Sequence, residues 1–379
     1  MTRPDQTTAG RPRKLILHAG MHKTGSTAIQ HWLRRAKLAD AHFFKWRHAN
    51  HSDLFVLLFE DDPQDHPAFA RPGYTRERAL QDREAEKQKI RRQIDSAGKD
   101  VFVFSAERIS AAPDAAVEAM QAFFAEFFPD IQVYAYVRKP SGFMTSMFQQ
   151  HLKTGRIKLS FPELWPNYRR RLRRFDRIFG PENVHLRSYD ALVARGTEIV
   201  GDFAQWTGVA TAAPHNIVLN WSMSATGMAL LYFYRKHVEP DLTPAKRARY
   251  DRYLLYAGQT IPGEKFHIAL EASAQDPEKV AKDLAWINER MGVAFDDGAV
   301  PRAGVEVFSS EDDILRYAMA MSHRLMPWKR LAGARSEAPE SFEATRARLR
   351  AFLTPPSLLR AEIGRGVNWL TGRHLRAKR

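Results

Sequence analysis

Residues 15–27 read Leu15-Ile16-Leu17-His18-Ala19-Gly20-Met21-His22-Lys23-Thr24-Gly25-Ser26-Thr27, a stretch with the signature of a strand, a turn and a helix. The run opens with three apolar residues, Leu15 to Leu17, as a buried parallel strand requires. The pattern breaks at Gly20 and Gly25. After Ser26 it turns helical, with Ile29, Trp32 and Leu33 on one face. Strand, glycine-bracketed loop, helix: that order presents backbone N–H groups and a helix N-terminus to an anion.

The spacing of Gly20 and Gly25 is that of a P-loop, with one departure. The ATPase version carries lysine directly after the second glycine, followed by a hydroxyl residue that holds Mg²⁺. Here Ser26 follows Gly25, and the lysine has moved into the loop as Lys23. A lysine there still neutralises a phosphate or a leaving oxygen, but the pair that couples phosphate to Mg²⁺ is missing. A second apolar run, residues 131–137, ends in Arg138-Lys139-Pro140, and Pro140 suits the first turn of a new helix. Ser146 follows on that helix. A guanidinium fork matches the oxygens of a phosphate, and a hydroxyl farther along adds a neutral donor.

With 379 residues the chain suffices for one large domain or two modest ones. The absence of cysteine excludes disulfides, Cys-based zinc sites and thiol nucleophiles, and it fits a reducing compartment. Residues 1–13 hold no apolar leader, and no run approaches the ~20 apolar residues of a membrane span. A soluble, cytoplasmic protein is expected. The formal charge of +15 points to anionic partners: a phosphorylated nucleotide cofactor, an anionic polysaccharide, acidic lipid or nucleic acid. Zinc-finger spacing and aromatic RNA-binding signatures are missing, which disfavours nucleic acid.

Along the chain, residues 1–12 read as a disordered leader. A short strand is expected at 41–46, then a loop with His48, Asn50 and His51, and a helix at 53–59. Residues 61–74 read as irregular and 75–97 as a charged, solvated helix. A buried strand at 101–104 ends in Ser105-Ala106-Glu107-Arg108. The helix expected at 115–128 carries Phe123, Phe124, Phe127 and Phe128, a stripe that reads as core. Gly155 is a C-cap candidate. A strongly basic helix is expected at 164–179, a strand at 184–187 and a helix at 198–207.

This alternation predicts an α/β fold, a P-loop-type parallel sheet with helices on both faces, its ligand beyond the carboxyl ends of the strands. Lys23, Glu107 and Arg138 all stand just past such ends. From about 216 the chain reads as a mainly helical flank, at 226–237, 244–256, 277–291 and 312–325, with no strand between. The division expected is a leader at 1–12, a P-loop domain at 13–328 (core 13–224, flank 225–328) and a basic helical tail at 329–379.

The stretch from 14 to about 224 resembles bacterial sulfotransferases of the P-loop superfamily that use 3′-phosphoadenosine 5′-phosphosulfate (PAPS). The resemblance rests on residues 18–27, Ser105-Ala106-Glu107, Tyr136-Val137-Arg138-Lys139-Pro140, Ser146 and the run 179–184. It implies transfer of a sulfuryl group from PAPS to a hydroxyl or amine, with adenosine 3′,5′-bisphosphate as the other product. By that resemblance Lys23 faces the departing phosphate oxygen. His22, Thr24, Gly25, Ser26 and Thr27 wrap the 5′-phosphate, and Arg138 with Ser146 holds the 3′-phosphate. A base must take the acceptor's proton. Branches of the superfamily use a histidine or a glutamate, so Glu107 is the first candidate and His51 the second; a salt bridge to Arg108 is the structural alternative for Glu107. His22 reads as a phosphate contact or a packing residue. No metal is required, since such transfers are mostly positioning and charge stabilisation. The 47–74 loop, the basic helix and the helical flank would suit a carbohydrate or glycolipid acceptor. Two other functions remain open: a P-loop kinase using ATP on a small molecule, and a non-enzymatic basic adaptor for anionic membrane or glycan.

The tail holds twelve Lys and Arg against four Asp and Glu. Leu358, Leu359, Ile363, Val367, Trp369 and Leu370 lie among its arginines, which suits peripheral contact with an anionic membrane through 355–379. Docking on its own domain or on a second copy suits the same pattern, and Gly364, Gly366 and Gly372 weaken the helix. Sedimentation of a 355–379 deletion with anionic liposomes separates the two: loss of binding marks membrane contact, and unchanged binding removes it.

Overall fold

A computed structural model of the chain describes residues 13–155, 160–209, 222–239, 244–270, 276–295, 304–325 and 341–353. The leader at 1–12, the 355–379 segment and residues 216–221 lie outside the described residues. In chain order the elements are β1 (Lys14–His18), α1 (Ser26–Arg35), β2 (Ala41–Phe43), α2 (Ser52–Phe59), α3 (Arg76–Ser96), β3 (Val101–Ser105), α4 (Asp114–Ala125), β4 (Asp130–Val137) and α5 (Pro140–Lys153). There follow α6 (Tyr168–Phe179), β5 (Val184–Ser188), α7 (Tyr189–Ala194), α8 (Ile199–Thr207), α9 (Ala225–His237), α10 (Pro244–Thr260), β6 (Lys265–Ile268), α11 (Pro277–Met291), β7 (Val305–Phe308), α12 (Glu311–Met321) and α13 (Phe342–Leu353).

Two compact units interleave along the chain. The first takes Met1–Lys139, Pro166–Leu219 and Asp276–Asp296; the second takes Pro140–Trp165, Asn220–Gln275 and Asp297–Arg379. The expected division at 224 differs from this because the ties that assign α5 and α11 are long-range. Thr145 of α5 accepts a hydrogen bond from the Ile268 amide at 3.0 Å, inside the second unit. Arg290 of α11 forks onto Asp176 of α6, inside the first.

The first unit is built on a five-stranded sheet in the order β2-β3-β1-β4-β5, with all four pairings parallel. Alternate residues of each strand serve opposite faces. Ile16, Val103, Tyr134 and Tyr136 pack with Ile29, Trp32 and Leu33 of α1 and with Val200 and Phe203 of α8. Phe102 and Phe104 turn the other way, where their rings meet Phe128 and Phe124. The aromatic stripe is therefore core: Phe123, Phe124 and Phe128 are buried, although α4 ends at Ala125. α3 is solvated as expected, with Ala79, Ile90 and Ile94 its buried residues and Thr75 its N-cap. Strand β1 is central, and the chain adds β2 and β3 on one side before passing to β4 and β5 on the other. The crevice beside β1 at the carboxyl ends is the switch point where such sheets hold ligands.

The basic helix starts later than its pattern suggested. Phe161–Leu164 form a single 3-10 turn, and α6 begins at Tyr168. Asn167 lies in the left-handed region at φ 51 and offers no side-chain cap. Asp283 of α11 supplies it instead, accepting from the amides of Tyr168 at 2.9 Å and Arg169 at 2.7 Å.

In the second unit α9 is buried around nearly its whole circumference from Ala225 to Arg235. Ser224 caps it by accepting from the Gly227 amide at 3.0 Å. Arg235 is buried against Glu239 at 3.0 Å and Asp251 at 2.9 Å. The flank is mainly helical as expected, but the expectation of no strand between its helices is corrected. β6 and β7 form a parallel pair, with Lys265 opposite Val305 and Ile268 opposite Phe308. Four residues per strand are too few to show a period of two against the helical background. No helix among the described residues is long and apolar enough to cross a membrane.

Removing the cap of α6 from its neighbour is testable. Asp283→Ala strands the buried amide of Tyr168 and the half-buried amide of Arg169 and is expected to cost about 1–3 kcal/mol by urea unfolding, with Asp283→Asn losing less.

Candidate active site

The loop after β1 is shaped by backbone needs. Gly25 closes it at φ 79, where a Cβ would lie 3.1 Å from Cγ1 of Ile199. Its carbonyl accepts from the Ala28 amide at 3.0 Å and so opens α1. No acidic residue stands in the first turn of α1 and no side chain caps it, which leaves its N-terminus fitted to an anion. Thr24 is buried, and its hydroxyl donates to the Met21 carbonyl at 2.7 Å, so it braces the loop from within. Thr27 is exposed on the first turn of α1.

Lys23 takes a left-handed backbone, φ 69, which costs a non-glycine residue about 1 kcal/mol. The loop is held in that shape from the next strand. Nη1 of Arg138, one residue past β4, donates to the Lys23 carbonyl at 3.0 Å. The Arg138 guanidinium also lies over the Tyr189 ring at 5.4 Å, and its Nε is buried without a hydrogen-bond partner. The carbonyl of Arg138 accepts from the Tyr168 hydroxyl at 2.6 Å, and the amide of Lys139 donates to Asp190 at 2.6 Å.

The floor of the loop is polar and fully enclosed. Ser26 is 2% exposed and His18 0%, and Ser26 Oγ and His18 Nε2 both lack partners. A Cβ added at Gly20 would come within 2.4 Å of Ser26 Oγ and 3.0 Å of His18 Nε2. Behind them, His18 Nδ1 shares a hydrogen bond of 2.8 Å with Ser105 Oγ, which also accepts from Gln30 at 3.2 Å. Burial holds the His18 imidazole down at about 4.

Glu107 stands two residues past β3 and turns to the loop. Its Oε2 lies 3.2 Å from Nδ1 of His22, with side-chain exposures of 21% and 35%. Burial pushes the Glu107 carboxyl up. The hydrogen bond from His22 and the positive charges of His22, His18 and, to a smaller extent, Lys23 outweigh it and hold the carboxyl below its usual range. The alternative pairing with Arg108 does not form: Arg108 forks onto Glu60 at 2.5 and 2.8 Å. Arg174 of the basic helix braces the same turn, donating to the carbonyls of Ile109 and Ala112.

His22, Lys23, Thr24, Gly25, Ser26, Glu107 and Arg138 are thus gathered at one edge of the sheet. His51 is not. It is buried in the sheet's apolar layer, stacked on Phe43 at 4.6 Å and beside Phe104 at 4.8 Å. Its Nδ1 accepts from the Ser105 amide at 3.2 Å, and burial holds its pKa down at about 3. That environment suits packing and opposes proton transfer with a substrate. Ser146 lies half-buried on α5 of the second unit. Sequence reasoning gave no role to His18, Gln30 or Tyr168. The spacing of Ser26 and Gln30, four apart on an apolar helix face, was the available signal.

No protein-family model matches the chain, and no curated protein matches it. Among solved structures, a sulfotransferase from Alicyclobacillus acidocaldarius aligns over 75% of this chain and 97% of its own, at 14% identity and TM-score 0.40. The sulfotransferase domain of the curacin biosynthetic pathway aligns over 54% and 76%, at 10% identity and TM-score 0.30. The sulfotransferase domain of the Synechococcus PCC 7002 olefin synthase aligns over 57% and 81%, at 13% identity and TM-score 0.30. At such scores the likeness carries no argument about function.

Two outcomes follow from the loop floor. Gly20→Ala pushes a methyl group onto Ser26 and is expected to cost about 1–3 kcal/mol and to abolish anion binding, read by urea unfolding and calorimetry. His18 and His51 have folded pKa values of about 4 and about 3 against 6.5 in the open chain. The unfolded state therefore binds more protons below pH 6.5, and stability falls as pH drops toward 4, by about 1.4 kcal/mol per unit for each histidine. His51→Asn, which keeps an acceptor for the Ser105 amide, makes that decline shallower by about one proton in urea titrations between pH 7.5 and 5.

Proposed function

We propose that this protein is a PAPS-dependent sulfotransferase acting on a hydroxyl or amine, with a carbohydrate or glycolipid as acceptor. The observation that carries the reading is the Arg138 Nη1 to Lys23 carbonyl bond of 3.0 Å. It joins the glycine loop after β1 to the guanidinium after β4, so two motifs separated by more than a hundred residues serve one crevice. A loop closed by Gly25, an uncapped helix start and the orphan hydroxyl of Ser26 fit the 5′-phosphate. Arg138, with its buried and unpartnered Nε, fits the 3′-phosphate.

When bound, PAPS supplies a sulfuryl group whose bond to the 5′-phosphate oxygen breaks, that oxygen keeping the electron pair. Lys23 then meets the charge that develops on the phosphate. The amides of Gly25, Ser26 and Thr27 orient the same group. Glu107 and His22 together supply the base that the acceptor's proton requires. The lysine's place ahead of Gly25, beside a Thr24 hydroxyl that is buried and committed to the Met21 carbonyl, argues against ATP and Mg²⁺.

Adenosine 3′,5′-bisphosphate at a hundredfold its Kd is expected to stabilise the protein by about 2.7 kcal/mol, with ATP and Mg²⁺ doing much less. Equal thermal shifts with both nucleotides, or none with either, overturn the reading. Lys23→Ala and Lys23→Gly both lose transfer from labelled PAPS. Lys23→Gly is the more stable variant by about 1 kcal/mol, because glycine accepts the left-handed backbone.

A further inference from the structure

We infer that His22 Nε2 is the atom that takes the acceptor's proton and that Glu107 is its positioning carboxylate. This rests on the sulfotransferase reading above. His22 Nδ1 and Glu107 Oε2 are 3.2 Å apart. Near neutral pH Glu107 is ionised, its carboxyl being held below the usual range, and an ionised carboxylate only accepts hydrogen bonds. Nδ1 of His22 therefore carries the hydrogen. In a neutral imidazole the other nitrogen, Nε2, is then a bare lone pair.

The turn that bears Glu107 is fixed on several sides. Its carbonyl accepts from the Ser110 hydroxyl at 2.9 Å. The Arg108 amide donates to Ser52 Oγ at 3.1 Å, while the Arg108 guanidinium is committed to Glu60. Among the described residues no arginine pairs with the Glu107 carboxylate. A base oriented by a third group is the arrangement by which weakly basic side chains are made effective. A carboxylate held below its usual range is a weak proton acceptor, which suits Glu107 to orienting the imidazole. His22 also precedes Lys23 directly, so the proton acceptor and the cation for the leaving oxygen share one rigid loop.

The step balances. The acceptor's O–H or N–H proton passes to His22 Nε2 as its oxygen or nitrogen bonds to sulfur. The bond from sulfur to the phosphate oxygen breaks, and the electron pair stays on that oxygen beside Lys23. The imidazolium is stabilised by Glu107 and returns its proton to water.

Histidine ¹⁵N resonances of the unliganded full chain test the tautomer directly, with His22→Gln assigning the signals. Hydrogen on Nδ1 and a lone pair on Nε2 is expected. Hydrogen on Nε2 overturns the inference and leaves the sulfotransferase reading untouched. Hydrolysis of PAPS, with water as acceptor, supplies the second readout. His22→Ala is expected to slow it by about 10²–10⁴-fold, with affinity for adenosine 3′,5′-bisphosphate changed less than about threefold, and free imidazole to restore part of the rate. Glu107→Gln slows it less, and imidazole does not restore it. Unchanged hydrolysis in His22→Ala, with loss confined to Glu107→Gln, overturns the inference. A wild type with the expected tautomer that neither binds the bisphosphate nor hydrolyses PAPS marks failure of the underlying reading instead.

Discussion

The hydrogen bond from Arg138 to the Lys23 carbonyl is the constraint on which the site depends. A non-glycine residue at φ 69 stays there only where its surroundings insist. Here the insistence comes from sheet register. β1 and β4 run parallel with Lys14 opposite Asp130 and His18 opposite Tyr134, which delivers Arg138 to the level of the loop. Tyr168 and Asp190 hold the backbone on either side of Arg138 in turn. The geometry of a six-residue turn is thus set by an interlocked sheet rather than by the turn itself.

Below the loop, an apolar sheet ends in a small buried polar layer of His18, Ser105, Gln30 and His51. Their mutual hydrogen bonds offset part of the desolvation cost, yet His18 Nε2, Ser26 Oγ and His51 Nε2 are left unpartnered. Two of those three atoms converge on Gly20, under the loop. Stability is given up there in a form that a bound anion can return.

The sorting of charge is equally local. Glu107 and Arg108 are sequence neighbours, and the single turn that carries them sends one to His22 and the other to Glu60. Several arginines that look like ligand contacts in the sequence are internal ties: Arg174 to the turn after Glu107, and Arg290 to Asp176. Arg169, Arg170 and Arg173 remain exposed on α6.

The amino-acid sequence by itself determined the parallel α/β core, because apolar runs of strand length alternate there with helical periodicity. It also marked the glycine loop and the strand-end positions of Glu107 and Arg138, since glycine spacing and strand ends are local signals. Tertiary structure alone decided the rest. His51 looks like an available loop histidine, and only packing against Phe43 and Phe104 buries it. The cap of α6 comes from Asp283, more than a hundred residues away, and β6 and β7 are too short to declare themselves before they pair. The partners of His22 and Glu107 were undecided for the same reason: a residue's type limits what it can bond, but which partner it meets is settled by the register of strands distant in the chain.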